Sequence, residues 1–472
     1  MRLFIDDASI HEYPESMQDG SHEQLYNDPL VRALGYGPLT PRELRTALGI
    51  SQPTFSRRVA GLMPVVLVTG RGPSTRYAAR RTIEGVGDRV RLFEVDEHGR
   101  PRHLATLHPV RPQGHYVEAH IPLDQGGVDT GFYPDLPWFL NDLRPAGFLG
   151  RLIPRLHPEL PRDITLWTGD HALAYVVRHG VDTMGAFVLG EHAVDRIAET
   201  SIPHVSTARS DRYPQLAEEV LSHGLVGSSA AGEQPKFLAL RARDSTGEAT
   251  MDVLTKFSPP LVGSDGQHPS RRVADLLIAE HLAHGVVASF GLPACRSEVF
   301  EAGGRVFLEV ERFDRTASSL SSPRGRRGVI SLASFDGGLV GRLESWSDTA
   351  RELHAARRID TPTFASIRWL QLFGRCIANT DMHHGNLSLM TRGARVDGLA
   401  PSYDMLPMAY MPQAGNVRTP PFHIPTPRHD EVAVWPEVRR AAIRFWQEVA
   451  GHADISEAFR AIASANADIL ER

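Results

Sequence analysis

Asp381, Asn386 and Asp404 carry oxygen-bearing side chains late in a 472-residue chain, and two histidines stand between the first pair. In NTDMHHGN (379–386), Asp381 precedes Asn386 by five residues. A carboxylate and a carboxamide on one loop can converge on a single phosphate. The carboxylate accepts or orients a hydroxyl proton, and the carboxamide holds a hard cation through its oxygen. Asp404, in SYDMLP (402–407), would add a second oxygen ligand for Mg²⁺. His383 and His384 invite a zinc reading instead. Adjacent side chains diverge, though, and no HExxH pattern or cysteine pair supports them. A plain polar loop explains each residue singly, but not their order behind a distant lysine.

That lysine emerges from a count. Lys and Arg together number 51, and only Lys236 and Lys256 are lysine. Two lysines retained 20 residues apart point to positions that need a compact ammonium, a point charge suited to phosphate. Chance is the competing explanation for so small a sample. Lys256 closes the β-prone run TMDVLTKF, which Pro259 and Pro260 end. Ahead of it lies LVGSSAAGEQPK (225–236). Gly227 and Gly232 have Walker A spacing, but Glu233 stands where that motif needs lysine, so a P-loop NTPase is excluded. Backbone amides of such a small-residue loop can still approach phosphate, although an ordinary hairpin turn explains the loop taken alone. A lysine ending a strand behind a glycine-containing loop is how kinases hold ATP phosphates. Glu280, on the helix predicted from about Ser270, is placed to pair with Lys256; a solvated helix-face Glu is the equal alternative. The run RVFLEVERFDR (305–315) alternates as a strand, ends in a charged turn and could offer backbone to an adenine.

Regular elements must position these groups. TFASIRWLQLFGRCIA (363–378) predicts an amphipathic helix with Phe364, Ile367, Leu370, Phe373 and Ile377 on one side. Asp381 follows it directly. Leu387 and Leu389 then alternate as a strand, Thr391–Gly393 turn it, and a second strand runs toward Leu399 and Asp404. Helix, Asp-x-x-x-x-Asn, hairpin, Asp is the order of a protein-kinase catalytic loop and metal-binding segment.

Another chemistry is legible near the N-terminus. In TPRELRTALGISQPTFSRRVAGL (40–62), Thr40, Pro41 and Glu43 form a capping box, Gly49 allows a tight turn, and Ser51 caps a second helix. Phe55, Val59 and Leu62 share one face of it, leaving Gln52, Thr54, Ser56, Arg57 and Arg58 outside, suited to a DNA major groove. Two short strands then flank a Gly-Pro turn with Arg71 and Arg76, like the wing of a winged helix-turn-helix. Residues 40–91 hold ten arginines against Glu43, Glu84 and Asp88. This basic island, in a chain of net charge −5, fits phosphate contacts. A helical module for protein contacts is the alternative.

Elsewhere the sequence excludes more than it assigns. Apolar content of 42% and charged content of 23% fit a soluble globular chain, and no apolar run approaches a membrane span. The N-terminal residues show no signal-peptide core and predict a loose tail. Cys295 and Cys376 form no ligand or redox motif and are expected as buried thiols in a reducing cytoplasm. Residues 100–215 offer no ligand spacing among Asp163, Asp170 and Asp182. Trp138, Phe139, Leu143 and Phe148 read as packing, and 172–190 as helix, turn and strand.

With GSSAAGEQPK (227–236), VERFDR (310–315), NTDMHHGN (379–386) and SYDMLP (402–407) in order, the chain resembles the HipA family of bacterial serine/threonine kinases, the toxin half of HipBA toxin–antitoxin modules. AEHLAHGVVASFGLPA (279–294) fits that family's helix ending in Gly-Leu-Pro. The fused N-terminal module resembles the YjjJ-type branch. The resemblance implies an α+β fold: a winged helix-turn-helix, then a HipA-like two-lobed protein-kinase-like fold. The expected divisions are a disordered tail (1–24), a DNA-binding domain (25–92), a HipA N-terminal-like subdomain (93–215) and a kinase domain (216–472), helical from about 320. It further implies Asp381 as catalytic base and Asn386 and Asp404 as Mg²⁺ ligands. Ser228, Ser229, Ala230, Lys236, Lys256, Glu311, Phe313 and His383 would join them around ATP. Ser229 falls at the family's autophosphorylated serine, with Ser228 as its rival. Two departures stand out: Pro235 removes a backbone donor before Lys236, and Gly385 replaces a lysine frequent before the Asn. Implied partners are a protein substrate such as a translation factor, DNA through the N-terminal domain, an antitoxin and a second copy of the chain. Two other readings compete. One is a DNA-binding transcription regulator whose kinase-like domain binds a ligand with weak catalysis. The other is a small-molecule or lipid kinase, since NTDMHHGN also resembles DxHxxN-type loops.

Overall fold

Thr40 Oγ1 accepts a hydrogen bond from the Glu43 amide, and the Glu43 carboxylate accepts one from the Thr40 amide, so the helix Pro41–Leu48 starts where its capping box predicts. In the computed structural model, this helix belongs to the first of two compact units, which gathers residues up to 89 with 108–116 and 132–135. The second holds 90–107, 117–131 and 136–472. The structure describes residues 24–472 except 152, 181, 198–201, 206–207, 223–233, 244–248, 263–267, 317, 320–323 and 343. The expected N-terminal tail lies outside the described residues up to 23.

In the first unit, Gly49 takes a left-handed φ of 62° and turns the chain into the helix Gln52–Leu62, which Ser51 caps. Phe55, Val59 and Leu62 bury against Leu30, Leu34, Leu44 and Val66. Strands Val66–Thr69 and Arg76–Ala79 pair antiparallel, from Val66↔Ala79 to Thr69↔Arg76.

The second unit is mixed α+β. Its main sheet orders Ser297–Ala302, Arg305–Glu311, Ala249–Phe257, Lys236–Ala242 and His204–Val205, with Ser318–Ser319 on the Ala249 end. The long pairings are antiparallel, and only His204–Val205 joins in parallel. Helix Pro269–Ser289 packs on this sheet and is buried on several sides, with Arg272, Asp275, Glu280 and His284 buried among its apolar residues. Beyond it lie helices Trp346–Ala355, Thr361–Cys376, Trp435–Gly451 and Glu457–Glu471, and a three-stranded sheet of Gly328–Ser331, Ser388–Arg392 and Arg395–Leu399. Trp138, Phe139, Leu143 and Phe148 are buried, and 172–190 forms the end of the helix Gly169–His179, a turn and the strand Phe187–Leu189. Both cysteines are free and buried.

One helix end decides where the catalytic-loop candidate goes. Helix Thr361–Cys376 opens on Asp360, whose side chain accepts from the Thr363 amide, and Pro362 follows in its first turn. At its other end the Asn379 amide donates to Gly374 O at 2.9 Å and the Ala378 amide to Arg375 O at 3.2 Å. This is a Schellman closure, with Ala378 left-handed at φ 58° where glycine is usual. It reverses the chain so that 379–386 turns back toward the sheet. Met382 lies over Gly374, where an added Cβ would meet its sulfur at 2.6 Å.

Candidate functional site

The two lysines stand opposite each other. Lys236 and Lys256 are Cα partners across the antiparallel ladder of Lys236–Ala242 and Ala249–Phe257. Direct cross-strand partners share one face of a sheet, so both ammonium groups reach the same space. That space is a cavity of about 370 Å³. Leu238, Leu254, Cys295, Val310 and Met184 give it apolar walls, and Lys236, Lys256, Glu280, Glu311, Asn386 and Asp404 bring polar groups. A mostly apolar cleft with a few convergent charges is the usual form of a small-molecule site.

Lys256 is the centre of the charge. Its Nζ donates to Glu280 Oε1 at 2.6 Å and Oε2 at 2.8 Å, and also to Asp404 Oδ1. The pairing of Glu280 with Lys256, left open by the sequence, is therefore present. The lysine and Glu280 side chains are buried, while Asp404 is 31% exposed. Burial alone would discharge the lysine, but Asp404 and Glu280 outweigh it and raise its pKa. Burial also pushes Asp404 up, yet the charges of Lys256 and then Lys236 hold its carboxyl at about 2. Glu280 moves the other way, because its complete burial exceeds the pull of Lys256. Asp404 has a left-handed φ of 52°, a sparsely populated conformation that Asp tolerates better than most residues and that recurs at working sites.

Asparagines brace the loop and tie it to the backbone of Asp404. Asn379 accepts from the Asp381 amide at 3.1 Å through Oδ1 and donates to Asp404 O at 3.2 Å through Nδ2. Asn386 Nδ2 donates to Asp381 O at 2.8 Å, which leaves its oxygen as the group suited to a cation. Asp381 itself is exposed and stands outside the residues lining the cavity. His383 Nδ1 accepts from the Gly385 amide at 3.1 Å, and its carbonyl accepts from Trp346 Nε1 at 3.0 Å. His384 is buried, with Nε2 2.9 Å from Thr349 Oγ1, which in turn donates to Asp336. His384 thus anchors the loop to the helix Trp346–Ala355.

The strand expected in 305–315 runs from Arg305 to Glu311, and the charged turn expected at its end follows. Arg312–Arg315 there build a buried ion network. Arg312 and Arg315 each pair with both Asp314 and Asp182, at 2.6–3.0 Å. Asp182, given no role by its sequence spacing, thus buttresses one wall of the cavity; its partners lie 130 and 133 residues away, beyond any local pattern. Glu311 extends the ladder opposite Val253, and its carboxylate lies 3.8 Å from Arg296. Phe313 stacks on Tyr403 at 6.0 Å, and Tyr403 OH donates to Gly385 O at 2.8 Å. Tyr403 and Asn379 are the residues that motif reading passed over, although both sit inside the quoted motifs. Ser228, Ser229 and Ala230 lie outside the described residues.

In the first unit, Gln52, Thr54, Arg57 and Arg71 are exposed, and Arg76 is half-buried. Gln52 Oε1 accepts from Arg45 NH1 at 2.5 Å. Arg58 departs from the expectation of a free phosphate-binding side chain: its Nε pairs with Asp28 at 2.9 Å, and Asp28 caps the helix Pro29–Ala33.

Among the described residues, no helix is long and apolar enough to cross a membrane. Residues 86–198 match the family described as YjjJ-like toxin, middle domain, and residues 228–468 match the HipA-like C-terminal domain. The chain is 35% identical over 441 residues to Toxin YjjJ of Escherichia coli (strain K12), covering 92% of this chain and 95% of that protein. Among solved structures, it is similar to a chain of the Shewanella oneidensis MR-1 complex of HipA, HipB and operator DNA, at 15% identity and a TM-score of 0.47 over 80% of this chain and 95% of that one. It is also similar to the Helicobacter pylori proinflammatory kinase CtkA, at 12% identity and a TM-score of 0.33 over 50% of this chain and 94% of that one. With the two family matches in order and the likeness to Toxin YjjJ running nearly end to end, the chain belongs to the YjjJ-like toxins with a HipA-like C-terminal domain.

Proposed function

We propose that the protein is an ATP-dependent serine/threonine protein kinase that acts as a growth-inhibiting toxin and binds DNA through a winged helix-turn-helix. The observation that carries the kinase reading is the convergence of Lys236, Lys256, Glu280, Asn386 and Asp404 on one cavity. Lys256, fixed by Glu280, orients ATP phosphates as a point charge. Glu311–Phe313 run along the cavity where an adenine would meet backbone. Asn386 and Asp404 fit a hard cation: one keeps its carboxamide oxygen free, and the charges of Lys256 and Lys236 hold the other's carboxyl below the usual range, so it is ionised at neutral pH. Mg²⁺ held there would neutralise charge on the phosphoryl oxygens. Asp381 accepts or orients the proton of the attacking hydroxyl, with its backbone held on both sides by Asn379 and Asn386. Ser229 is the proposed self-modification site, and added negative charge there would weaken ATP binding.

The test is direct. The purified chain, given labelled ATP and Mg²⁺ with cell lysate, should label itself or a lysate protein, and Asp381→Ala should not. No label under any divalent cation would overturn the reading. Label found only on small molecules or lipids would transfer it to another kinase class.

A further inference from the structure

A second cluster stands outside the lining of the phosphotransfer cavity, beside a neighbouring space that shares Asp182, Met184 and Leu238 with it. His157 and Glu159 follow the short helix Ile153–Leu156, and His179 ends the helix Gly169–His179. The two imidazoles approach to 4.1 Å between centroids at 38°, and His157 Nδ1 lies 3.5 Å from Glu159 Oε1. One ligand atom from each residue falls within 4.8 Å of the others. No other trio of His, Cys, Asp or Glu among the described residues does this.

We propose that His157, Glu159 and His179 form a binding site for a borderline transition-metal ion, with Zn²⁺ the best match. Two imidazole nitrogens and one carboxylate oxygen are a common zinc donor set, whereas Mg²⁺ and Ca²⁺ take oxygen. In a tetrahedral site with bonds of about 2.0–2.2 Å, ligand atoms stand about 3.3–3.5 Å apart. The His157–Glu159 pair is already there. The widest pair, within 4.8 Å, closes by at most about 1.5 Å, within reach of side-chain rotation, since the Glu159 side chain is 47% exposed. His157 and His179 also border a cavity of about 710 Å³ with Arg144 and Arg196 on its wall. Three protein ligands leave a fourth position open to water or an anionic group. The ion would staple the segment after Leu156 to a helix end that nothing in the kinase reading explains. Without an ion, the same residues make a tilted histidine pair packed on Tyr175, beside a weak ion pair.

The test uses the tag-free, chelator-stripped full chain and Zn²⁺ competed against a chromophoric chelator, with thermal melts in parallel. One equivalent should bind and raise Tm, and excess Mg²⁺ should not displace it. His157→Ala/His179→Ala should lose both effects, and Glu159→Gln should lower affinity at least about tenfold without unfolding the chain. His120→Ala, at the other close histidine pair (4.3 Å from His103), should retain both. No uptake by the wild type, or equal uptake by the double variant, overturns the site.

Discussion

Lys256 concentrates the chemistry at the residue scale, because one buried ammonium answers two carboxylates. Removing it strands Glu280, which is 1% exposed. Lys256→Met should therefore cost about 3–5 kcal/mol in urea unfolding, and Lys256→Met/Glu280→Gln should recover part of the loss. An additive double variant would contradict the pairing. Lys256→Arg keeps the charge but replaces a point donor with a planar fork. It should fail to restore phosphotransfer, in keeping with an arginine-dominated sequence that retains lysine here. His284 sets a pH dependence. Burial first, then Lys256 and His281, lower its pKa to about 3, against the opposing pull of Asp404. The unfolded chain takes up that proton first, near pH 6.5, so stability should fall as pH drops from about 6.5 toward 3. His284→Asn should flatten urea midpoints across that window, and an unchanged slope would exclude His284 as the cause.

Elements decide which of these residues meet. Periodicity and caps made the helices at 41–48, 52–62 and 361–376 legible, along with the strands around Lys256 and Asn386. The pairing of Lys236 with Lys256 was not, because register is a tertiary property that no local pattern fixes. Ala378 was equally hidden, since an alanine gives no sign of the left-handed conformation that the helix end requires. Ala378→Gly should relieve it and raise stability by about 0.5–1 kcal/mol in the same unfolding assay. No gain, or a loss, would mean that the conformation is not strained. The first unit offers a finer contrast. Arg57→Ala and Arg71→Ala should each weaken DNA binding across sequences and reduce its salt slope by about one. Arg58→Ala, which releases Asp28, should lower stability more than it changes that slope. A wild-type slope in Arg57→Ala and Arg71→Ala would remove both residues from the interface.

Across the whole molecule, the cavity is assembled from segments spread between Asp182 and Asp404. Residue types and order singled out Lys256, Asn386 and Asp404, and the three line the same cavity. Asp182 escaped because its arginine partners lie 130 and 133 residues later in the chain, and burial makes such a network meaningful only after folding. Asn379 escaped because a carboxamide bridging a loop amide and a carbonyl looks like any polar neighbour. The central claim is that this one cavity binds ATP and that Asp381 directs its phosphoryl group. Calorimetric ATP titration with Mg²⁺, paired with intact-protein mass analysis of the same samples, tests it most directly. Wild type should bind and gain phosphoryl mass or transfer it to protein. Asp381→Ala should bind as tightly yet transfer at least about 100-fold more slowly, and Asp404→Asn should lose both. ATP binding unaffected by Asp404→Asn, or transfer undiminished in Asp381→Ala, would contradict the account.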